Sequence, residues 1–542
     1  MEYKVLLPQT IWQNHDPSAG DFAAEIVEQD EGRARYLINA YPATGDTVRV
    51  SVRIFKPRGD VAGTLVVVPE YHRIPDRTFT ERLVAEGFCV VLPDLSGLDG
   101  TVFPPALEYG FYDRAGEHLQ KVMPTALQTS QYLYTVILKR TLAFLAASEG
   151  YDYGVPCLVG LGDAVEVAMQ AAGSGAAVKG IAAVNGAGYR EYIRLNKYGE
   201  EKEFEIDDER MCWLTGVASV AYAKHVDVPV FLAVGTNSKI ADVDRVNNLA
   251  ALLPSGYITT VFSPMAGEYI DADAFCSLCL WLRNLFGEGM LPTCPAVAVR
   301  VSEDGKVYID VDCDPAMIIE KVDIYYSTGM FNHRLRDWHK QDGIGISYNQ
   351  YLASPEINDA DAPLFTFANV HYAGGLTLSS LVEYAALGGM SVRAEPKTPP
   401  RVVYAASQGT DPFVEGSEAP VLFVPRLRIV HPSDGPDGLY SEGGLKTYRV
   451  DTGSIAETAF LQMDFFAASD KEVSVTLERL TPAGITAYTA NCFVSDTKGM
   501  FKGVRFRSSD FKDGRMMPLV GWKDVRSVEI KGDVALGNVL FV

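Results

Sequence analysis

The sequence predicts an α/β fold for residues 1–292, with a mostly parallel sheet covered on both faces, followed by two all-β sandwiches. Two observations predict this. In the first part, short continuous apolar runs, typical of strands covered on both faces, alternate with helical patterns. After Pro292, apolar and polar residues alternate instead, and no long helical pattern interrupts them. The predicted limits are 1–292, 293–396 and 418–542, with a linker at 397–417.

The strands of the first part are predicted in order from their apolar residues. Residues 47–55 alternate with period two, which indicates a half-exposed strand. Phe79 to Glu86 has helical periodicity between two apolar runs, so this stretch predicts a βαβ unit. The remaining strands of the predicted sheet lie at 63–69, 87–93, 157–159, 178–184, 228–234 and 257–262.

The strands after Pro292 are predicted from alternation and turn residues. The turn Glu303-Asp304-Gly305 joins two alternating runs, which predicts a hairpin. Proline and glycine residues between Glu395 and Ser417 indicate the linker. Further strands are predicted at 296–301, 306–311, 321–327, 376–383, 458–465, 473–477 and 525–530.

The composition limits the partners and the compartment. A net charge of −21 disfavours nucleic acid and anionic membranes as partners, because both need a basic surface. No apolar run approaches the roughly 18 residues of a membrane span, and the N-terminus shows no signal peptide. Eight scattered cysteines indicate reduced thiols, and Cys276 and Cys279 fall on one face of an apolar helix, as core residues do. We therefore expect a cytoplasmic protein with no cofactor and no metal site.

One segment predicts a strand, a sharp turn and a helix in direct succession. The turn reads Gly160-Leu161-Gly162-Asp163-Ala164. Its small flanking residues match the Gly-x-Ser-x-Gly elbow, in which a strained turn lifts a serine hydroxyl above the sheet. Gly162 stands at the position of that serine, and glycine has no side chain to act as a nucleophile.

Together with the strand 63–69 and the strand that ends at Pro93-Asp94, this turn resembles the α/β-hydrolase superfamily. Within it, the resemblance is to the acetyl xylan esterase-like carbohydrate esterases, and it covers roughly residues 45–290. The resemblance implies a catalytic triad in the order serine, then aspartate or glutamate, then histidine. It also implies an esterase activity that depends on those three groups.

The other two triad positions can be located from the same resemblance. The acid would follow the strand 228–234, where the chain has Asp242 and Asp244. The histidine would follow the strand 257–262, where Glu268 and Tyr269 stand instead. Since no histidine occurs between residues 225 and 333, two of the three triad positions lack the required chemistry.

Other residues offer substitutes for the missing groups. Asp163 is a candidate nucleophile, because dehalogenase-like relatives use an aspartate; alternatively, it is a carboxylate placed favourably near a helix N-terminus. His72 follows the strand at the family's oxyanion loop, where it either faces the cleft or is merely solvated. The candidate catalytic residues are therefore Asp163, His72, Asp242, Asp244 and Glu268.

The two later parts each resemble a known kind of module. The middle part resembles the fibronectin-type sandwich appended to some esterase-like proteins, which implies a role in packing and spacing. The last part, through Gly521 to Ile530 and Gly537 to Phe541, resembles jelly-roll carbohydrate-binding modules. Such modules stack aromatic rings on sugars and hold hydroxyls with polar groups, or else the same aromatic residues belong to the core and rim. The candidate sugar-binding residues are Tyr440, Tyr448, Tyr488, Arg505, Arg507 and Trp522.

These patterns lead to a carbohydrate-associated pseudo-hydrolase that binds a glycan, another small molecule or a partner without serine-esterase catalysis. One alternative is an active carbohydrate esterase, a hydrolase acting on ester bonds, that uses Asp163, His72 or Glu268 in new roles. The other is a scaffold subunit whose acidic surface and β modules serve assembly. The sequence leaves the oligomeric state open.

Overall fold

The computed structural model describes residues 2–74, 77–148, 152–186, 197–198, 206–254, 258–287, 289–396, 401–416, 427–431 and 437–542. The N-terminal part of this chain consists of one sheet with helices around it. Its strands are β1 (Glu25–Asp30), β2 (Arg33–Ala40), β3 (Val48–Phe55), β4 (Gly63–Val68), β5 (Phe88–Pro93), β6 (Cys157–Leu161), β7 (Gly180–Val184), β8 (Val230–Gly235) and β9 (Ile258–Ser263). Its helices are α1 (Pro8–Trp12), α2 (Arg77–Ala85), α3 (Tyr112–Ala115), α4 (Ser130–Ala147), α5 (Val165–Gly173), α6 (Asp208–Gly216), α7 (Ser219–Ala223), α8 (Val243–Leu252) and α9 (Ala272–Phe286).

The nine strands form one mixed sheet in the order β1-β2-β3-β5-β4-β6-β7-β8-β9. The first three strands form an antiparallel meander, and β3 also runs antiparallel to β5. From β5 to β9 every neighbouring pair is parallel, with a crossover that places β4 between β5 and β6. This order is consistent with an α/β-hydrolase fold. The sheet with helices is as predicted, and five of its eight strand pairs are parallel, whereas the first three strands add antiparallel pairs.

The sheet is covered on both faces, which explains the continuous apolar runs. On one face, α2 contributes Phe79 and Leu83, and α9 contributes Leu278 and Leu282. On the other face, α4 to α8 pack in a second and larger core. Cys279 lies inside the first core, where burial raises the pKa of its thiol to about 12. All eight cysteines are free thiols.

The middle part is built from two antiparallel sheets around a shared core. One sheet has the order β10-β11-β15-β14; the other has the order β13-β12-β16-β17, and β18 also pairs with β16. The strands are β10 (Ala296–Val301), β11 (Val307–Asp312), β12 (Ile319–Thr328), β13 (His339–Asp342), β14 (Ile344–Gly345), β15 (Gln350–Ala353), β16 (Pro363–Tyr372), β17 (Leu376–Ser379) and β18 (Glu383–Ala386).

The single strand predicted at 376–383 is divided into β17 and β18. Two of the three residues between β17 and β18 contact different neighbours: the Ser380 hydroxyl accepts from the amide of Ala368, while the carbonyl of Val382 accepts from Asn247 on α8. The chain therefore leaves the regular ladder here to contact the N-terminal part.

The last part is also antiparallel and strand-rich. One sheet has the order β21-β22-β29-β24-β27, with β19 also paired to β29, and the other has the order β20-β23-β28-β25-β26. The strands are β19 (Val402–Ala405), β20 (Val414–Glu415), β21 (Arg428–Val430), β22 (Gly438–Tyr440), β23 (Leu445–Thr447), β24 (Leu461–Phe466), β25 (Lys471–Thr481), β26 (Gly484–Val494), β27 (Lys502–Phe506), β28 (Val525–Lys531) and β29 (Ala535–Phe541).

Part of the segment expected as a linker is structured. Within 397–417, β19 pairs with β29 and β20 pairs with β23, so both strands belong to the sheets of the last part. Residues 397–400 and 417 lie outside the described residues. Among the described helices, none has both the length and the apolarity needed to span a bilayer.

The middle part is joined to the N-terminal part along the free edge of β9. Ser379 on β17 donates from its hydroxyl to Asn369, accepts from the amide of Phe262 at 2.7 Å, and receives the Thr260 hydroxyl on its carbonyl at 2.6 Å. The large core of the N-terminal part also includes Trp338 and Phe367 of the middle part. Edge strands are normally protected from further pairing, and here a second β part covers the edge.

Candidate functional site

The elbow predicted at Gly162 is present between β6 and α5. Gly162 has φ +53° at the apex of a short turn, which is the left-handed conformation that glycine adopts without a side-chain penalty. A Cβ on Gly160 would approach Cα of Val165 to 2.9 Å, so the small residue allows strand and helix to pack closely. The backbone therefore has the geometry of a nucleophile elbow, with no nucleophile on it.

The space above Gly162 is filled by Glu70, which follows β4. A Cβ added to Gly162 would come 2.9 Å from Cγ and 3.0 Å from Cδ of Glu70, and closer still to its Oε1. Glu70 is only 2% exposed, and its carboxylate pairs with the guanidinium of Arg73. A side chain at position 162 would therefore require Glu70 to move.

The pKa of the Glu70 carboxyl group is unusually high for a glutamate. Burial raises its pKa to about 7; the charge of Arg73 opposes this rise, while Asp163 and Glu268 add to it. Three carboxyl groups thus interact around Gly162, and the most buried of them titrates near neutrality. A carboxyl group of this kind is able to accept or donate a proton at physiological pH.

Asp163 connects the elbow to the loop after β4. Its half-buried carboxylate lies 3.4 Å from the amide of Tyr71, and its carbonyl accepts from the Tyr71 hydroxyl at 3.0 Å. The residue precedes α5, which begins at Val165, so its charge lies near a helix N-terminus. These contacts support the structural interpretation of Asp163.

His72 lies beside Arg73 on the same loop. Its Nε2 is 3.2 Å from Nε of Arg73, whose N–H donates to it. Burial lowers the pKa of His72, and the charge of Arg73 lowers it further. Both effects favour the neutral imidazole, although Asp163 opposes them, and the lone pair of this nitrogen is already engaged.

The two candidate acids after β8, Asp242 and Asp244, contact the middle part. Asp242 caps α8 by accepting from the amide of Asp244 at 2.9 Å. Both oxygens of Asp244 accept from the guanidinium of Arg336, at 2.6 and 2.7 Å, and both side chains are fully buried. Arg336 also lies 3.4 Å from the ring centroid of Phe365. These aspartates hold the middle part against the sheet edge.

The same place gathers Asp242, Asp244 and His333, whose potential ligand atoms lie within 4.8 Å of one another. His333 places Nε2 2.9 Å from the carbonyl of Ser238, to which it donates. However, Arg336 occupies both oxygens of Asp244, and Arg245 lies 3.4 Å from Asp242. Because two guanidinium groups already balance the two carboxylates, this cluster does not favour a metal ion.

The loop after β9, where the family's histidine is expected, serves other contacts. Glu268 accepts from the amide of Lys239 at 2.6 Å and so links the loops after β8 and β9. Tyr269 is buried, and burial raises the pKa of its phenol well above the ordinary value. Tyr448, Glu415 and Asp271 add to this rise, and because the first two belong to the last part of the chain, that part lies against this loop.

The six candidate sugar-binding residues do not share one environment. Trp522 is 1% exposed and donates from Nε1 to the carbonyl of Ala459, and Tyr448 is also buried, so neither presents a ring face to a ligand. This corrects the expectation for those two residues, whose rings complete the interior. Tyr440 is half-buried, and its hydroxyl donates to Asp533.

The other three candidates are accessible to solvent at least in part. Tyr488 is half-buried on β26, whereas Arg505 and Arg507 are exposed. Arg505 donates to Gln462 at 2.9 Å, and Arg507 lies 5.6 Å from the ring centroid of Phe460. Of the six candidates, Tyr440, Tyr488, Arg505 and Arg507 therefore keep accessible surface, and of these four only the two arginines are exposed.

Two residues that define the site were not singled out from the sequence. Glu70 could have been found, because β4 and β6 are parallel neighbours and the residues that follow them meet at one edge. The sequence signal for Glu70 is an acidic residue after one strand and a glycine after the strand that pairs with it. Arg336 gave no such signal, since it comes from a different part of the chain.

No family model and no curated protein matches this chain. Its structure is similar to acetyl xylan esterase 1 from Thermoanaerobacterium sp. JW/SL YS485, at 15% identity and a TM-score of 0.40, over 53% of this chain and 96% of that one. It is also similar to an acetyl xylan esterase from Paenibacillus sp. R4, at 14% identity and a TM-score of 0.38, over 52% and 96%. A dienelactone hydrolase from Anabaena variabilis is similar at 14% identity and a TM-score of 0.31, over 47% and 98%. At these values the likeness assigns no activity, and the chemistry open to this chain depends on its own side chains.

Proposed function

We propose that this chain is a carbohydrate-associated protein that binds a glycan or a partner, and that its α/β-hydrolase-like part does not carry out serine-esterase catalysis. The observation that carries the proposal is the Glu70 carboxyl group, which fills the space above Gly162 where a nucleophile would project. A glycine apex alone would leave an empty cleft that another group could enter. A buried acidic side chain at the apex closes that space instead.

The remaining triad positions support the same proposal. Both oxygens of Asp244 are engaged by Arg336, so this carboxylate is not available to orient a catalytic base. Glu268, on the loop expected to carry the base, accepts a backbone hydrogen bond instead. The groups that a triad would use therefore hold the chain's own parts together.

The activity test uses the intact chain with 4-nitrophenyl acetate and with acetylated xylo-oligosaccharides. We expect hydrolysis no faster than the rate without protein. If the chain hydrolyses either ester, and Glu70→Gln or Asp163→Asn abolishes that rate, the proposal is wrong. Glu303→Gln is the matched control, because Glu303 is exposed in a hairpin turn of the middle part.

For the ligand, we propose a glycan held by the last part of the chain, around Tyr488, Arg505 and Arg507. The support is the jelly-roll resemblance together with the accessibility of these three side chains. A glycan array with the intact chain, followed by calorimetry on each hit, tests this directly. Tyr488→Ala should weaken binding, whereas Tyr348→Ala, which removes an 82% exposed tyrosine from the middle part, should not.

A second candidate function is ester hydrolysis with Glu70 as the general base. The specific observation is the raised pKa of about 7, which suits proton transfer at neutral pH. This alternative predicts a rate that rises with pH through about 7. In Glu70→Gln the rate would be lost at every pH, and a rate that is independent of pH from 6 to 8 would exclude Glu70 from this role.

A further inference from the structure

A cavity of about 250 Å³ lies beside the elbow, at the carboxyl ends of β4 and β5. The start of α2 forms one wall, the strands β2 and β3 form another, and the loop after β5 closes it. None of Gly162, Asp163 and Glu268 lines it, so what it binds does not depend on the function proposed for the elbow.

The charge of this cavity is opposite to that of the chain. Its lining includes four arginines and three carboxylates, in a molecule with a net charge of −21. The arginines come from four separate segments: β2, β3, the loop after β4, and the start of α2. They are Arg33, Arg53, Arg73 and Arg77.

The carboxylates of the cavity do not fully occupy these arginines. Glu81 serves two of them, with Arg77 at 2.6 Å and Arg33 at the longer distance of 3.8 Å. The Arg33 side chain is 53% exposed. Asp99 pairs with a terminal nitrogen of Arg53 and leaves its Nε unpaired, and Glu70 pairs with Arg73. Asp94 is engaged by backbone amides of the loop that follows it, two of them at 2.8 Å. Guanidinium donors therefore remain available to a bound anion.

Two polar atoms in the lining are buried without a hydrogen-bond partner among the described residues. They are the hydroxyl oxygen of Thr80, a residue only 3% exposed, and Nε of Arg53. Buried polar atoms are nearly always satisfied in folded proteins, so unpaired donors on two residues that line one cavity point to a group that binds there. An anionic oxygen is able to accept a hydrogen bond from either donor.

Apart from Ser96, the rest of the described lining is apolar. Phe55, Ile74, Leu92 and Leu98 contribute to it, and the Arg33 guanidinium lies 5.7 Å from the Phe55 ring centroid. A pocket with an apolar wall and a few convergent polar groups is typical of a small-molecule site. The apolar wall favours an organic anion over an inorganic one.

We propose that this cavity binds a small organic carboxylate with a planar apolar body. The carboxylate accepts hydrogen bonds from Arg53 and Thr80, with Arg33 alongside. The apolar body lies against Phe55 and Leu92. The size of the cavity limits the ligand to about one ring.

The test is a ligand-observed NMR titration of the intact chain with benzoate and with its neutral isostere benzamide. Charge-assisted hydrogen bonds are worth more than neutral ones, so benzoate should bind about tenfold more tightly than benzamide. Arg53→Gln should weaken benzoate binding by about tenfold for the same reason. Thr80→Val should weaken it several-fold without changing any charge.

Matched variants separate this site from a general effect of charge. Arg300 on β10 also pairs with an aspartate, at 2.6 Å, and lies 4.4 Å from the Tyr308 ring centroid, so Arg300→Gln should leave binding unchanged. Thr78→Val is the control for Thr80→Val, because Thr78 is exposed on the same helix. If Arg53→Gln does not fold, Arg33→Gln replaces it. Equal binding of benzoate and benzamide, or equal effects at Arg53 and Arg300, would overturn the proposal.

Discussion

At the scale of single residues, Glu70 occupies the space into which a nucleophile would project from the elbow, but it does not act as that nucleophile. Gly162 keeps the left-handed backbone of the elbow, and Glu70 fills the space from the neighbouring strand. The acidic group comes from β4, not from the turn itself. Gly162 and Glu70 together therefore keep the backbone of the elbow and fill the space above it, and no nucleophile projects there.

Gly162→Ser should destabilise the fold and give no esterase activity. The left-handed backbone costs a serine about 1 kcal/mol, and the contact with Glu70 adds about 1–3 kcal/mol of overpacking. Gly116→Ser is the control, because Gly116 has φ +52° and nothing within 4 Å of an added Cβ. Urea denaturation of both variants measures the difference. An equal loss of stability in the two would show that Glu70 does not occupy the space above Gly162.

Glu70 should make stability depend on pH in a defined window. Its pKa rises from 4.5 to about 7 on folding, so the folded state binds the proton more tightly than the unfolded state. The contribution of Glu70 to stability is therefore fully present below pH 4.5, is lost as pH rises from 4.5 to 7, and is absent above that. The shift corresponds to a loss of about 3 kcal/mol across the window.

Glu70→Gln tests this dependence, because glutamine keeps the shape of the protonated form without titrating. The difference in unfolding free energy between the chain and Glu70→Gln should change between pH 5 and pH 8 in favour of the variant. Glu303→Gln, at an exposed position, should show no such change. A difference that stays constant with pH would contradict the raised pKa of Glu70.

At the scale of elements, the loop after β8 is fixed by a turn of the middle part. The short 3₁₀ turn His333–Leu335 brings Arg336 to the first turn of α8, where its guanidinium binds both oxygens of Asp244. Because both side chains are fully buried, neither charge has water as an alternative partner. The contact therefore specifies how the turn docks on the helix.

Arg336→Met should destabilise the fold by about 3–5 kcal/mol, because it leaves the Asp244 carboxylate buried and unpaired. The double variant Arg336→Met/Asp244→Leu should recover much of that loss, since no isolated charge remains. Guanidinium chloride titrations of both variants measure these free energies. Arg300→Met is the control for an exposed pair and should cost at most about 1 kcal/mol. If Arg336→Met loses no more unfolding free energy than Arg300→Met, the Arg336–Asp244 pair is not buried as described.

The sequence predicted the elements that depend on local pattern and missed contacts between distant segments. The strands at 63–69 and 87–93 follow directly from apolar runs, because both faces of the sheet are covered. The strand predicted at 376–383 was too long, because its break depends on a contact with α8. At the site, Gly162 was visible in one short motif, whereas Asp244 was located without its partner Arg336. That partner lies 92 residues further along the chain, and no local pattern relates the two.

At the scale of the whole molecule, the N-terminal and middle parts share one core. Phe367 of the middle part packs edge-on against Phe262 of β9, at 5.6 Å between ring centroids, and against Trp338 at 4.8 Å. Trp338 and Phe367 belong to the same buried cluster as the helices α4 to α8. A continuous apolar core couples the stability of the two parts, because opening one exposes buried surface of the other.

We therefore expect Phe367→Ala to destabilise both parts together, by about 3–5 kcal/mol, the usual cost of truncating a buried phenylalanine. Hydrogen exchange measures this in each part separately: protection should fall by the same free energy for amides of β8 and of β12. Ile344→Ala is the control, because Ile344 is 64% exposed on the far sheet of the middle part and should change neither. Calorimetry of the intact chain should show the two parts unfolding in one transition, which Phe367→Ala moves to lower temperature. Loss of protection in β12 alone would show that the two parts unfold independently and that the shared core does not couple them.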